Sequence, residues 1–206
     1  MLRFRLKIGA FCGACKKEVV MNIIHSIVEF FKKLFKKKDA DSITVNGVYI
    51  DDDGFLFEKV ENGNYYLFVK DCSVRLLGNR HFASDSSDRN FEMVCKFKKG
   101  FKSDGASAPL FAQKFLPDVK VGDDVYNAAP FIHDGLYMWK GCVDGFRLNR
   151  EECDDILRGT WRCSGVGRIV AGIADVGIQL FAGAESHWGD DSLNCKHCFE
   201  ISMRYV

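Results

Sequence analysis

The chain has 206 residues, 47% hydrophobic and 13% aromatic, with 18 Phe and only 3 Pro, enough apolar material for one ordinary globular core and too much for a disordered or low-complexity chain. No uncharged apolar run is long enough for a membrane span, so multi-spanning membrane classes are excluded along with collagen-like and coiled-coil ones. The net charge of +1 conceals a division: residues 1–38 hold ten Lys/Arg against two Glu, whereas residues 39–206 hold nineteen against twenty-six acids, and this acidic body excludes nucleic acid as its partner.

Residues 1–20 are basic and apolar but show no secretory h-region followed by a small-residue cleavage site. Lys16-Lys17-Glu18-Val19-Val20-Met21 is what a purine-rich bacterial ribosome-binding site ahead of a start codon looks like when translated, which makes Met21 the expected start and residues 1–20 a mis-annotated extension. From Met21 the pattern is helical. Ile23, Ile24, Ile27, Val28, Phe30, Phe31, Leu34 and Phe35 occupy one half of a wheel, opposite Lys32, Lys33, Lys36 and Lys37. A basic amphipathic helix and linker over 21–42 is expected. Its partner over residues 21–38 is an anionic membrane surface or, equally, a groove on a protein.

Residues 43–206 read as a single α+β domain, an antiparallel β-meander followed by a helical half packed on or beside the sheet. Expected strands are Ile43–Val45 and Val48–Ile50 about an Asn46-Gly47 type I′ turn, then Phe55–Phe57, Tyr65–Val69, Ser73–Leu77 and Phe91–Phe97. His81–Asn90 reads as a polar loop, and Asp51–Gly54 as an acidic turn without the remainder of a calcium loop. Expected helices are Pro109–Phe115, Tyr126–Trp139, Asn149–Cys163 and Val166–Ala184, with Phe199–Met203 returning as a last strand.

The nine cysteines are odd in number and scattered, which suits free thiols in a reducing cytoplasm. Cys12/Cys15 and Cys195/Cys198 form two knuckles that would close a tetrahedral zinc site if the termini met; independent thiols are the other reading.

Three stretches concentrate polar residues. Phe101–Pro109 leaves a strand, presents Asp104, and enters a helix with Ser107 as cap and Pro109 in the first turn. His133 and Asp134 sit together inside an apolar helix, with Tyr137 one turn beyond His133. Asn149 caps a helix whose Arg150 and Asp154 are spaced i, i+4 for an ion pair, unless Asp154 turns toward His133. Helix neighbours diverge by roughly 100°, so His133 and Asp134 share one ion only at the helix edge.

These ordered motifs, in Phe101–Pro109, His133–Tyr137 and Arg150–Asp154, resemble an uncharacterised family common in phages and prophages. The resemblance spans roughly residues 45–190. It implies a phage-type protein without an established activity; the basic helix and the terminal Cys pairs depart from the family, so membrane association and zinc knuckles are not carried over from it. The expected location is the cytoplasm of a bacterial host, peripherally at its inner membrane through the basic helix, or the virion. The His-Asp dipeptide also occurs in the phosphohydrolases named for it, but those are wholly helical with further upstream His.

Two functions follow. In the first, Asp104, His133, Asp134 and Asp154 bind a divalent Zn, Mn or Fe ion that activates water for a hydrolase. Tyr137 and Arg150 then orient ligands or stabilise charge, and His187 is a further candidate ligand. In the second, Asp104, His133, Asp134, Tyr137, Arg150 and Asp154 form a structural polar network in a non-enzymatic assembly, membrane-docking or host-interaction protein. Oligomeric state is not legible.

Overall fold

The structure, a computed structural model, describes residues 40–51, 53–60, 65–105, 116–168, 170–172, 188–189 and 196–206. The expected helices over 21–38 and Pro109–Phe115, most of Val166–Ala184, and residues Cys12, Cys15, Ser107, Pro109, His187 and Cys195 lie outside them.

Nine strands and two α-helices are described: β1 (Ser42–Ile50), β2 (Phe57–Val60), β3 (Tyr65–Phe68), β4 (Cys72–Phe82), β5 (Ser87–Phe97), β6 (Lys102–Ser103), α1 (Asp124–Met138), β7 (Cys142–Val143), β8 (Phe146–Arg147), α2 (Arg150–Cys163) and β9 (Phe199–Tyr205). The main sheet is antiparallel in the order β1-β4-β5-β9, beside a three-stranded β2-β3-β6 sheet and the β7-β8 hairpin. Six of the nine strands precede the first of these helices, as expected of an α+β chain, and Phe199–Tyr205 returns to the main sheet as its last strand.

Two local readings are corrected. Asn46-Gly47 does not turn; β1 runs straight through it, with a register shift against β4 between Val45 and Gly47. An Asn-Gly pair that suits a hairpin also suits a bulge, and pairing along the whole of β4 favours the latter. The polar stretch from His81 is likewise not a loop. β4 and β5 pair out to Phe82↔Ser87, closed by a tight turn in which Ser86 has a positive φ of 54°.

The core sits between the main sheet and the helices. Val74 and Leu76 of β4 alternate inward with Phe91, Met93, Cys95 and Phe97 of β5, all essentially inaccessible. Phe68 joins them at the centre of an aromatic cluster, 5.3 Å from Phe97, 5.3 Å from Phe101 and 5.0 Å from Phe131 of α1, with mixed stacked and edge-on geometry. Close approach fixes the helices. A Cβ on Gly135 would stand 2.5 Å from the Phe199 ring of β9, and one on Gly159 would stand 2.9 Å from Val45 of β1. α2 also covers the free edge of β1, because the Ile43 N–H donates to Asp155 Oδ2 at 3.0 Å.

Phe68→Ala removes the ring that the other Phe residues surround and should cost about 3–5 kcal/mol in urea unfolding. A loss below about 1 kcal/mol would show that Phe68 is not central to the core.

Candidate functional site

The site is assembled around the start of α2. Along β4, Cys72, Val74, Leu76, Gly78 and Arg80 point inward in strict alternation, so the pleat carries a guanidinium into the interior at the end of an apolar row. Its partner is Glu152, 0% exposed, in the first turn of α2. Arg80 Nε donates to Glu152 Oε1 at 2.7 Å and Nη2 donates to Oε2 at 3.1 Å. The remaining Arg80 donors reach the Tyr205 hydroxyl and the Arg147 carbonyl, each at 3.2 Å. Burial works against the Arg80 charge, yet Glu152 and Tyr205 hold its pKa above the ordinary value. Glu152 also completes a capping box: the Asn149 N–H donates to Glu152 Oε2 at 2.8 Å, and the Glu152 N–H donates to Asn149 Oδ1 at 2.9 Å.

Two residues further along α2, Asp154 is buried and receives two donors on one oxygen. His133 Nε2 lies 3.0 Å from Asp154 Oδ1, and the Tyr137 hydroxyl donates to the same oxygen at 2.7 Å. His133 and Tyr137 are i, i+4 on α1, which stacks their rings with centroids 4.0 Å apart. Burial pushes the Asp154 pKa up, but the His133 and Tyr137 bonds outweigh it and hold the carboxyl below its ordinary value. An ionised Asp154 accepts only, so His133 Nε2 carries a proton. Arg150 Nε donates to the Tyr137 oxygen at 3.1 Å. Burial and then Asp154 push the Tyr137 pKa up, so its hydroxyl keeps its proton. The expected Arg150–Asp154 ion pair is therefore replaced: Tyr137 stands between the two.

Asp134 faces the other way, toward β6. Ser103 Oγ donates to Asp134 Oδ2 at 2.5 Å, and the same Ser103 oxygen accepts from the Gly105 N–H at 3.0 Å. Asp104 lies close enough for its backbone and its carboxyl both to act on the ionisation of Asp134. Desolvation, then the neighbouring Asp104 charge, push the Asp134 pKa well above the carboxylate range. Asp118 is close enough to Asp104 for burial and that charge together to raise its pKa as well, against the opposing pull of Lys59.

The six expected residues thus fall into two groups on different faces of α1: Asp104 with Asp134, and His133, Tyr137, Arg150 and Asp154. A divalent ion shared by Asp104, His133, Asp134 and Asp154 does not fit this arrangement. Among the described residues, no three His, Cys, Asp or Glu side chains converge where an ion could sit. The divergence of consecutive helix positions is the reason. Arg80 and Glu152 were not anticipated. The signal was present in the alternation Cys72, Val74, Leu76, Gly78, Arg80, which places a charge on the buried face and demands a buried acid.

A cavity of about 440 Å³ opens beside this network, lined by Arg80, Arg147, Arg150, Asp41, Asn149 and Trp188 among others. Trp188 meets the Tyr137 ring edge-on, with centroids 4.9 Å apart. Among the described residues, no helix is long and apolar enough to cross a membrane.

Residues 82–174 match the model of a family described as "Protein of unknown function (DUF1353)". That segment contains the Phe101–Pro109, His133–Tyr137 and Arg150–Asp154 stretches. No curated protein and no solved structure matches the chain significantly.

The two buried aspartates should respond oppositely to pH. An unfolded Asp titrates near 3.9, and the folded Asp134 titrates higher, so the native state keeps a proton that the unfolded chain releases. Its contribution is full below about pH 4 and is lost as pH rises through the folded value. Asp154, with its lowered pKa, contributes above about pH 4 and loses that contribution as pH falls through its folded value. In urea unfolding from about pH 3 to about pH 8, Asp134→Asn should therefore gain on the parent protein as pH rises, and Asp154→Asn should lose on it. Parallel curves for parent and both variants would refute the assignment.

Proposed function

We propose that the chain is a non-enzymatic binding module of phage type, in which the motif residues are a structural network that positions Arg150 at a ligand cavity. The observation that carries this reading is the convergence of His133 Nε2 and the Tyr137 hydroxyl on Asp154 Oδ1, with Tyr137 in turn accepting from Arg150. Each of these bonds has a geometric role in joining α1 to α2. The phage assignment rests on the motif resemblance. Residues 21–38 supply a basic amphipathic face for an anionic membrane surface.

One observation favours a second reading as an acid–base hydrolase. The Asp134 pKa is pushed up beside the Asp104 carboxyl, and two neighbouring carboxyls with separated pKa values are what a general acid and its partner base require.

Elemental mass spectrometry on the full chain should find no stoichiometric metal. Tyr137→Phe should lower stability by about 1–3 kcal/mol, since it strips a donor from buried Asp154 and an acceptor from Arg150. His133→Ala should cost more, about 3–5 kcal/mol, by leaving a buried carboxylate with one donor fewer. A stoichiometric Zn, Mn or Fe ion lost in both His133→Ala and Asp104→Ala would overturn the binding-module reading.

Flotation with vesicles containing anionic lipid tests the N-terminal segment. Reversing the charge of Lys32, Lys33, Lys36 and Lys37 should abolish co-flotation, and undiminished binding would reject the electrostatic account.

A further inference from the structure

The cavity beside α2 is rich in arginine although the body around it is acidic. Residues 39–206 carry nineteen Lys/Arg against twenty-six Asp/Glu, yet three arginines, Arg80, Arg147 and Arg150, line this one opening. They are not equivalent. Arg80 is neutralised by both oxygens of Glu152, and its other donors are engaged by Tyr205 and the Arg147 carbonyl. Arg150 has one side-chain partner, the neutral Tyr137 hydroxyl. Arg147 is exposed, and its side chain makes no hydrogen bond or ion pair among the described residues. Among the described residues, neither of these two guanidinium groups is paired with a carboxylate. Of the acids that share the lining, Glu152 is saturated by Arg80 and the Asn149 N–H, while Asp41, whose Oδ1 accepts from the Ala83 N–H at 2.9 Å, adds one formal negative charge, so the basic side chains exceed the acidic ones by one. The helix end is not the attractor, since the capping box already engages the Asn149 and Glu152 amides.

Size and chemistry then narrow the occupant. A volume of about 440 Å³ exceeds what a lone ion needs and falls within the range of small-molecule sites. Two guanidinium forks without a carboxylate partner suit the several oxygens of a phosphate group better than the two of a single carboxylate. Trp188, half-buried and fixed edge-on to Tyr137, adds an aromatic wall. We propose that the cavity binds a small phosphorylated molecule with a planar group, the phosphate held by Arg147 and Arg150 and the planar part resting against Trp188. This deepens the binding-module reading and rests on it.

Isothermal titration of the full chain with adenosine monophosphate, inorganic phosphate and adenosine tests the assignment. Adenosine monophosphate should bind saturably, inorganic phosphate more weakly, and adenosine without phosphate least. Arg147→Gln and Arg150→Gln should each weaken adenosine monophosphate by about tenfold or more. Arg147→Gln is the cleaner variant, because its side chain supports no other group and its unfolding temperature should not move. Trp188→Ala should weaken adenosine monophosphate while leaving inorganic phosphate unchanged. Absence of saturable binding by either phosphate, or equal binding by Arg147→Gln, would overturn the site while leaving the structural network standing. Release of inorganic phosphate from bound adenosine monophosphate would do the reverse: the site would stand and the non-enzymatic reading would fall.

Discussion

The arrangement depends on a charge that the β-pleat carries inward. Once Arg80 continues the buried row of β4, an acid must meet it there, because an unpaired guanidinium in that position would be prohibitively desolvated. Glu152 meets it from the first turn of α2, and the same carboxylate closes the capping box that starts the helix. One side chain therefore fixes both where α2 begins and which sheet position it stands over. Burial raises the Glu152 pKa in spite of Arg80 and the Asn149 amide, which marks the pair as a device for placement more than a source of net stability. Everything further along α2 inherits that placement: Asp154 falls opposite His133, Asp155 over the edge of β1, and Arg150 at the cavity.

α1 acts as a partition between two electrostatic environments. On the side facing α2, Asp154 meets two donors that hold its pKa down; on the side facing β6, Asp134 is desolvated beside another carboxyl and its pKa is pushed up. The two residues are the same amino acid, and the balance between desolvation and the groups each one meets sets the opposite directions. Adjacent positions His133 and Asp134 contact these different environments because a helix turns by roughly 100° per residue. The same turn prevents the two groups from uniting into one ligand set.

The strands-then-helices order, the Asn149 cap and the span of α2 were legible because each is written locally, in hydrophobic period and capping chemistry. Asn46-Gly47 and the segment after His81 were not, since their conformation is set by pairing with a distant strand and not by their own turn propensity. The candidate residues were identified singly, but their grouping was not. Whether Arg150 pairs with Asp154 or with Tyr137 depends on how near α1 comes to α2, a tertiary distance that neither helix's own sequence encodes. Arg80 went unnoticed because its partner is 72 residues away, although the parity of β4 had already placed it indoors.

The hydrogen bonds around Asp154 also have a direction, and this connects the interior to the cavity. An ionised Asp154 accepts from both His133 and Tyr137, so the Tyr137 proton points inward and its lone pairs are left to receive Arg150. If Asp154 were protonated, the Tyr137 hydroxyl would be free to rotate and Arg150 would lose its fixed acceptor. The orientation of a charged side chain at the opening is therefore governed by the ionisation of a carboxylate that solvent barely reaches. His133, which touches neither Arg150 nor the cavity, helps to set it by holding that carboxylate below its ordinary pKa.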